Sequence, residues 1–167
     1  VGRWRKLIQG KRVLWPLLGK SGLSSKELSR RSSEATGHTR DDLLQIGKVI
    51  KGLYYSRKEI EANLMGWPGS VPSLLALRSA AGGGKTCMMD HLAGQWQKEE
   101  LPVLFIRAQG LEQADLLKLV QDRLRLEEEV TFFDLAGALD QPLLILIDGL
   151  NEHASPKDFL ASILEQA

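Results

Sequence analysis

The run Ser79-Ala80-Ala81-Gly82-Gly83-Gly84-Lys85-Thr86 carries the clearest chemistry in the chain. Successive glycines, having no Cβ, let a backbone turn sharply and bring its N–H groups close to an anion. Lys85 adds a flexible cation, and Thr86 adds a hydroxyl suited to a hard divalent ion. A helix opening near Lys85 would aim its unpaired N–H groups and its positive dipole end at the same point. This combination suits the cradling of a polyphosphate, with Lys85 on the outer phosphates and Thr86 on Mg²⁺. The full pattern is Gly-x-x-x-x-Gly-Lys-[Ser/Thr]. Its second glycine falls on Gly84, and its first position holds Ser79. The plainer alternative is a glycine-rich strand-to-helix turn with Lys-Thr after it by chance.

A phosphate loop needs a partner acid. The most apolar run of the chain, Leu143–Ile147, ends directly in Asp148. In an open α/β sheet, ligands bind beyond the carboxyl ends of the strands, where Asp148 would hold Mg²⁺. Gly149-Leu150-Asn151-Glu152-His153 follows. Glu152 is the candidate for activating an attacking water, and Asn151 for positioning that water or the γ-phosphate. Taken alone, Asp148 could be a turn residue and Glu152 a solvated loop carboxylate. His153 reads as a surface or packing residue. The candidate nucleotide contacts are therefore Ser79, Ala80, Ala81, Gly82, Gly83, Gly84, Lys85, Thr86 and Cys87. Thr86 and Asp148 are the candidate metal ligands, Lys85 and Glu152 the candidate catalytic residues, and ATP with Mg²⁺ the expected ligands. No guanine-reading Asn-Lys-x-Asp segment occurs in the chain.

These residues must be placed by strands and helices. Val71–Leu77 predicts a strand before the loop, with Pro72 confining its paired part to the later residues. Thr86–Gln97 predicts a helix with Met88, Met89, Leu92, Ala93 and Trp96 inward. Val103–Arg107 predicts a strand, Leu111–Leu124 a helix, Phe132–Leu139 a short helix and Leu143–Ile147 a strand. Ser155-Pro156 opens a last helix, Lys157–Glu165. Alternating strand and helix, with strands apolar throughout, predicts a parallel sheet with helices on each side.

The lead-in is less regular. Residues 1–20 mix tryptophans with basic residues, and Pro16 interrupts any long helix. Residues 21–40 hold few apolar side chains and predict a mobile or loosely packed connection, with a short helix started by Ser24 and Glu27. Asp41 and Asp42 are expected to begin a helix carrying Leu43, Leu44, Ile46, Val49, Ile50 and Leu53. Lys58–Leu64 predicts a second helix, and Gly66-Trp67-Pro68-Gly69 a turn. The expected division is a basic, weakly structured segment over 1–40, a helical lead-in over 41–69, and the α/β core over 70–167.

Composition adds bounds. The chain has 167 residues, 43% hydrophobic and 26% charged, which suits one globular domain with a small appendage. No apolar run approaches the ~20 residues that cross a bilayer. The basic N-terminus lacks a signal-peptide core. A single cysteine, Cys87, leaves no internal disulfide and makes a reducing cytoplasm the expected setting. The chain does not begin with Met and is expected to be a piece of something longer or a processed product. The net charge of +1 hides an asymmetry: residues 1–60 hold 14 basic and 5 acidic residues, the remainder 8 and 16. Such a split suits contact with nucleic acid, with an acidic neighbour, or between the two halves themselves.

Leu144-Ile145-Leu146-Ile147-Asp148-Gly149-Leu150-Asn151-Glu152 resembles the Walker B segment of NACHT and related STAND P-loop ATPases, signal-transducing switch proteins. Gly149 matches the small residue after the metal-binding Asp. Glu152 matches the acid four residues on, and Asn151 stands where the family carries another acid. Tyr55-Ser56-Arg57, with Glu59 and Glu61, is similar to a segment that packs near the nucleotide base in that family. The resemblance spans about residues 54–167. It implies a three-layer P-loop NTPase with a parallel sheet, incomplete at the C-terminus; the residues before it add the expectation of a mostly helical N-terminal segment. The resemblance also implies an extra strand between the two motif strands, and sensor and winged-helix parts beyond Ala167. The expected function is an ATP-binding, ATP-hydrolysing switch, with a homo-oligomer on activation and no membrane partner. The competing expectations are an ATP-dependent nucleic-acid protein using basic residues 1–60, and a nucleotide-binding scaffold without turnover.

Overall fold

The computed structural model describes residues 24–66, 74–78, 80 and 82–166. The expectations for residues 1–23, the turn after Gly66, the start of the Val71 run, Ser79 and Ala81 lie outside the described residues. The elements are α1 (Ser25–Gln45), α2 (Lys58–Met65), α3 (Lys85–Lys98), β1 (Val103–Arg107), α4 (Leu116–Leu124), α5 (Phe132–Ala138), β2 (Leu144–Asp148), a 3-10 turn (Leu150–Glu152) and α6 (Pro156–Gln166).

The architecture is mixed helix and strand. β1 and β2 pair in parallel, from Val103 opposite Leu144 to Arg107 opposite Asp148. Together they are the sheet among the described residues. Alternation along β1 divides the interior. Leu104 and Ile106 join Leu28, Leu119, Val120 and Phe159 in one cluster. Val103 and Phe105 join Met88, Leu92, Trp96 and Leu43 in another. Both faces of β1 are therefore covered, which explains its unbroken run of apolar residues. The inward residues expected for α3 are the buried ones. No helix among the described residues is long and apolar enough to cross a membrane.

The structure overturns the expectation of a weakly structured segment for residues 24–40. They belong to α1, a 21-residue helix that runs unbroken across the division expected at residue 40. Its buried residues are Leu28, Ser32, Thr36, Thr39 and Leu43, three or four apart along one face. Its two ends, Leu28 and Leu43, enter the apolar clusters, but its middle docks on polar backbone. Thr36 Oγ1 donates to the Val103 carbonyl (2.6 Å) and accepts from the Phe105 N–H (3.0 Å). Thr39 Oγ1 donates to the Phe105 carbonyl (2.7 Å). The threonines thus occupy the edge of β1 that β2 leaves free, so the scarcity of apolar residues is the docking chemistry itself. Ser24 caps the helix as expected, accepting from the Glu27 N–H (3.1 Å). Glu27 also receives Arg30 and then Arg31, which together lower its pKa to about 2.

Asp41 and Asp42 lie near the end of α1 rather than at a helix start. The helix stops in a Schellman motif: the Gly47 N–H bonds the Leu44 carbonyl (3.1 Å) and the Lys48 N–H bonds the Leu43 carbonyl (3.0 Å). Gly47 takes φ +71°, a conformation glycine adopts without strain. The helical spacing that continues to Leu53 is therefore cut at Gly47.

Two further expectations change. Leu74–Arg78, the described part of the run expected as a strand, pairs with neither β1 nor β2. An apolar run becomes a strand only where its backbone groups find a ladder partner, and composition does not report that. Residues 111–115 are not helical, because Asp115 caps α4 by accepting from the Lys118 N–H (3.1 Å). The remaining elements fall within a residue or two of their expected ends.

Thr36→Val keeps the shape of the side chain but leaves a buried carbonyl and a buried N–H of β1 without partners. It should cost about 1–3 kcal/mol, read as a lowered urea midpoint. An unchanged midpoint would remove the threonine contact as the clamp on β1.

Candidate functional site

The glycine run and Asp148 meet at the C-terminal end of the sheet. Gly82 and Gly84 both take φ +73°. The Gly83 N–H bonds the Ala80 carbonyl (3.1 Å). Gly84 is the N-cap of α3, and Lys85 is its first residue. The loop thus delivers the chain into the helix with the first N–H groups of α3 beside it, an arrangement suited to an anion. Lys85 Nζ donates to the Ala80 carbonyl (3.1 Å), which places the ammonium across the loop.

Thr86 Oγ1 lies 3.0 Å and 2.9 Å from the two carboxylate oxygens of Asp148. These residues are 62 positions apart. Parallel pairing of β1 and β2 carries Asp148 to the mouth of the sheet, and its own carbonyl is tied to the Ala108 N–H (2.8 Å). Asp148 is 6% exposed. A hydroxyl and a carboxylate side by side form an all-oxygen donor pair, which fits Mg²⁺ rather than a softer metal. Among the described residues no group of three or more His, Cys, Asp or Glu could hold a metal alone. A magnesium site completed by substrate phosphates requires no such group.

Gly149 follows with φ +71°, and the 3-10 turn carries the exposed residues Asn151 and Glu152. Glu152 Oε2 lies 3.2 Å from Lys48 Nζ. His153 is buried. Its Nδ1 accepts from the Ser155 N–H (2.8 Å), its Nε2 faces the Gln113 carbonyl (3.1 Å), and its ring stacks on Phe159. Nε2 is thereby the donor, and the ring is a packing element, as its position in the sequence suggests. Cys87 turns its thiol to the Lys48 carbonyl (3.4 Å), so any nucleotide contact it makes is through its backbone.

The segment between α1 and α2 lies against the same loop. Arg57 donates through Nη2 to the Gly83 carbonyl. A Cβ placed on Gly84 would meet that same nitrogen at 3.3 Å. Arg57 is held by Glu61, which accepts from its backbone N–H, from the Tyr54 hydroxyl (2.6 Å) and from Ser56 (2.9 Å). The Tyr54 ring stacks on His91 of α3, 4.4 Å between centroids. Burial pulls the Glu61 pKa upward, but the hydrogen bonds from Tyr54, Arg57 and Ser56 outweigh it and hold the carboxyl below its ordinary value. Burial, and then Glu61, push the Tyr54 hydroxyl well up.

Spacing alone did not reveal Lys48 or the Glu61 cluster. The helix-stopping Gly47 is the one local signal that chain direction changes just before Lys48. Nothing local pairs Lys48 with a residue 104 positions away.

Glu61 has a depressed folded-state pKa, so its contribution is complete above the ordinary carboxyl range and is lost as pH falls through and below it. Wild-type stability should therefore drop more steeply than that of Glu61→Gln below about pH 5, measured by urea unfolding across pH. Parallel curves would remove Glu61 as the charged hub of the cluster.

No family model, no curated protein and no solved structure matches the chain.

Proposed function

We propose that residues 80–86 and Asp148 form an ATP and magnesium site, in an ATP-hydrolysing switch of NACHT/STAND type built on a three-layer P-loop fold. The observation that carries this reading is the Thr86–Asp148 contact. A residue just after a glycine loop and a residue at the end of a distant strand present oxygen ligands to one point. The helices on both faces of β1 and the parallel pairing support the fold part of the reading.

The chemistry follows from the groups present. Lys85 exchanges the Ala80 carbonyl for the outer phosphate oxygens, and the N–H groups at the start of α3 face the same oxygens. Thr86 Oγ1 and Asp148 are the residues that would hold Mg²⁺, which would supply positive charge against the phosphate oxygens. Glu152 accepts the proton of the attacking water. Arg57, seated on the Gly83 carbonyl, fastens the lead-in to the phosphate loop. A change in loop shape with nucleotide state would then pass directly to α2. A reducing cytoplasm suits the single thiol.

The nucleic-acid alternative gains no specific support from α1. Its Arg30 and Arg31 are paired with Glu27 and Glu34, and Arg40 with Asp90 of α3. That last pair, like Lys48–Glu152, joins the basic lead-in to the acidic remainder of the chain.

In the full-length protein, Lys85→Ala should weaken Mg·ATP binding by about tenfold or more, measured by titration calorimetry. Equal affinity would remove Lys85 from the site. Glu152→Gln should retain binding and lower turnover by about a hundredfold or more. Wild-type turnover in that variant would end the base assignment.

A further inference from the structure

We propose that Lys48 is a positioning residue for Glu152, an inference that rests on the reading of Glu152 as the base. The turn carrying Glu152 is exposed, and among the described residues Lys48 is what fixes its carboxylate, through Oε2 at 3.2 Å. Lys48 itself is unusually well placed for a lysine. The Schellman motif fixes the direction in which its backbone leaves α1. Its carbonyl is met by the Cys87 thiol in the first turn of α3. Its ammonium also reaches Gln109 Oε1 (3.4 Å), in the loop after β1. One residue of the lead-in therefore touches three segments near the proposed site: the start of α3, the loop after β1 and the turn after β2.

Gly149 completes the arrangement. Its φ of +71° is the conformation that calls for glycine at this turn, and the Glu152 side chain lies beside it, with Cδ 3.5 Å from where a Cβ would stand, an ordinary contact. With Oε2 on the Lys48 ammonium, Oε1 remains to take a proton from water as the water oxygen bonds to the γ-phosphorus and the β–γ bridging bond breaks. No proton passes to or from Lys48. The cation sets where the carboxylate stands and keeps the flexible side chain from searching other rotamers.

The test uses the full-length protein and measures Mg·ATP affinity, kcat and KM in the same preparations. The pair is half-exposed, so Lys48→Met should lower kcat by about two- to fivefold, with KM and affinity unchanged. Lys48→Arg should restore most of the rate. In a Glu152→Gln background, Lys48→Met should have no further effect. Without nucleotide, hydrogen exchange at the Glu152 amide should quicken in Lys48→Met and return toward wild type in Lys48→Arg. An unchanged or raised kcat in Lys48→Met, or an equal loss in the Glu152→Gln background, would overturn the proposal while leaving ATP binding and the base intact. Wild-type turnover in Glu152→Gln alone would overturn both the base assignment and the role of Lys48, and failure of Mg·ATP to bind would overturn the site as a whole.

Discussion

A buried strand must satisfy both of its edges, and that requirement organises the lead-in around β1. One edge of β1 is met by the parallel backbone of β2. The other is met by the hydroxyls of Thr36 and Thr39. An unpaired N–H or carbonyl there would be buried with no water to bind. A helix carrying small hydroxyl residues on one face can approach a strand edge closely enough to supply the missing partners. Leucines at the two ends of that face, Leu28 and Leu43, then enter separate apolar clusters and clamp the helix in place.

The docking of α1 also places the segment after it. The chain leaves the helix at Gly47 in a direction set by two backbone hydrogen bonds. It then runs past the start of α3, leaving Lys48 near Glu152 and Arg57 on the Gly83 carbonyl. The half of the chain rich in positive charge thus meets the half rich in negative charge through specific pairs, Arg40 with Asp90 and Lys48 with Glu152. These pairs are partly solvated, so their value lies more in fixing geometry than in stability.

The core elements were legible because their signals are local and redundant. The face of α3 containing Met88, Leu92 and Trp96 follows helical period, and its start follows from the glycines. β2 is an uninterrupted apolar run closed by an aspartate, and in the structure α5 starts at Phe132 as expected, with Thr131 as its N-cap. The start of α1 at Ser24 was legible but its run through residue 40 was not, because a hydrophobic pattern detects burial against apolar surface. Thr36 and Thr39, buried against the polar backbone of β1, carry no such signature. Leu74–Arg78 shows the opposite failure, an apolar run without a ladder.

The amino-acid sequence by itself determined which residues could serve phosphate and metal: glycines free to take positive φ, a lysine and a threonine at a helix start, and an aspartate closing an apolar strand. These are matters of side-chain chemistry and short-range spacing. Only the tertiary structure decided that Thr86 and Asp148 meet, that Glu152 stands against Lys48, and that Arg57 seats on the loop. Such contacts depend on strand register, settled by backbone hydrogen bonds between β1 and β2, and on where α1 docks, settled by threonine hydroxyls on the backbone of β1; both join segments far apart in the chain and leave little trace in local composition.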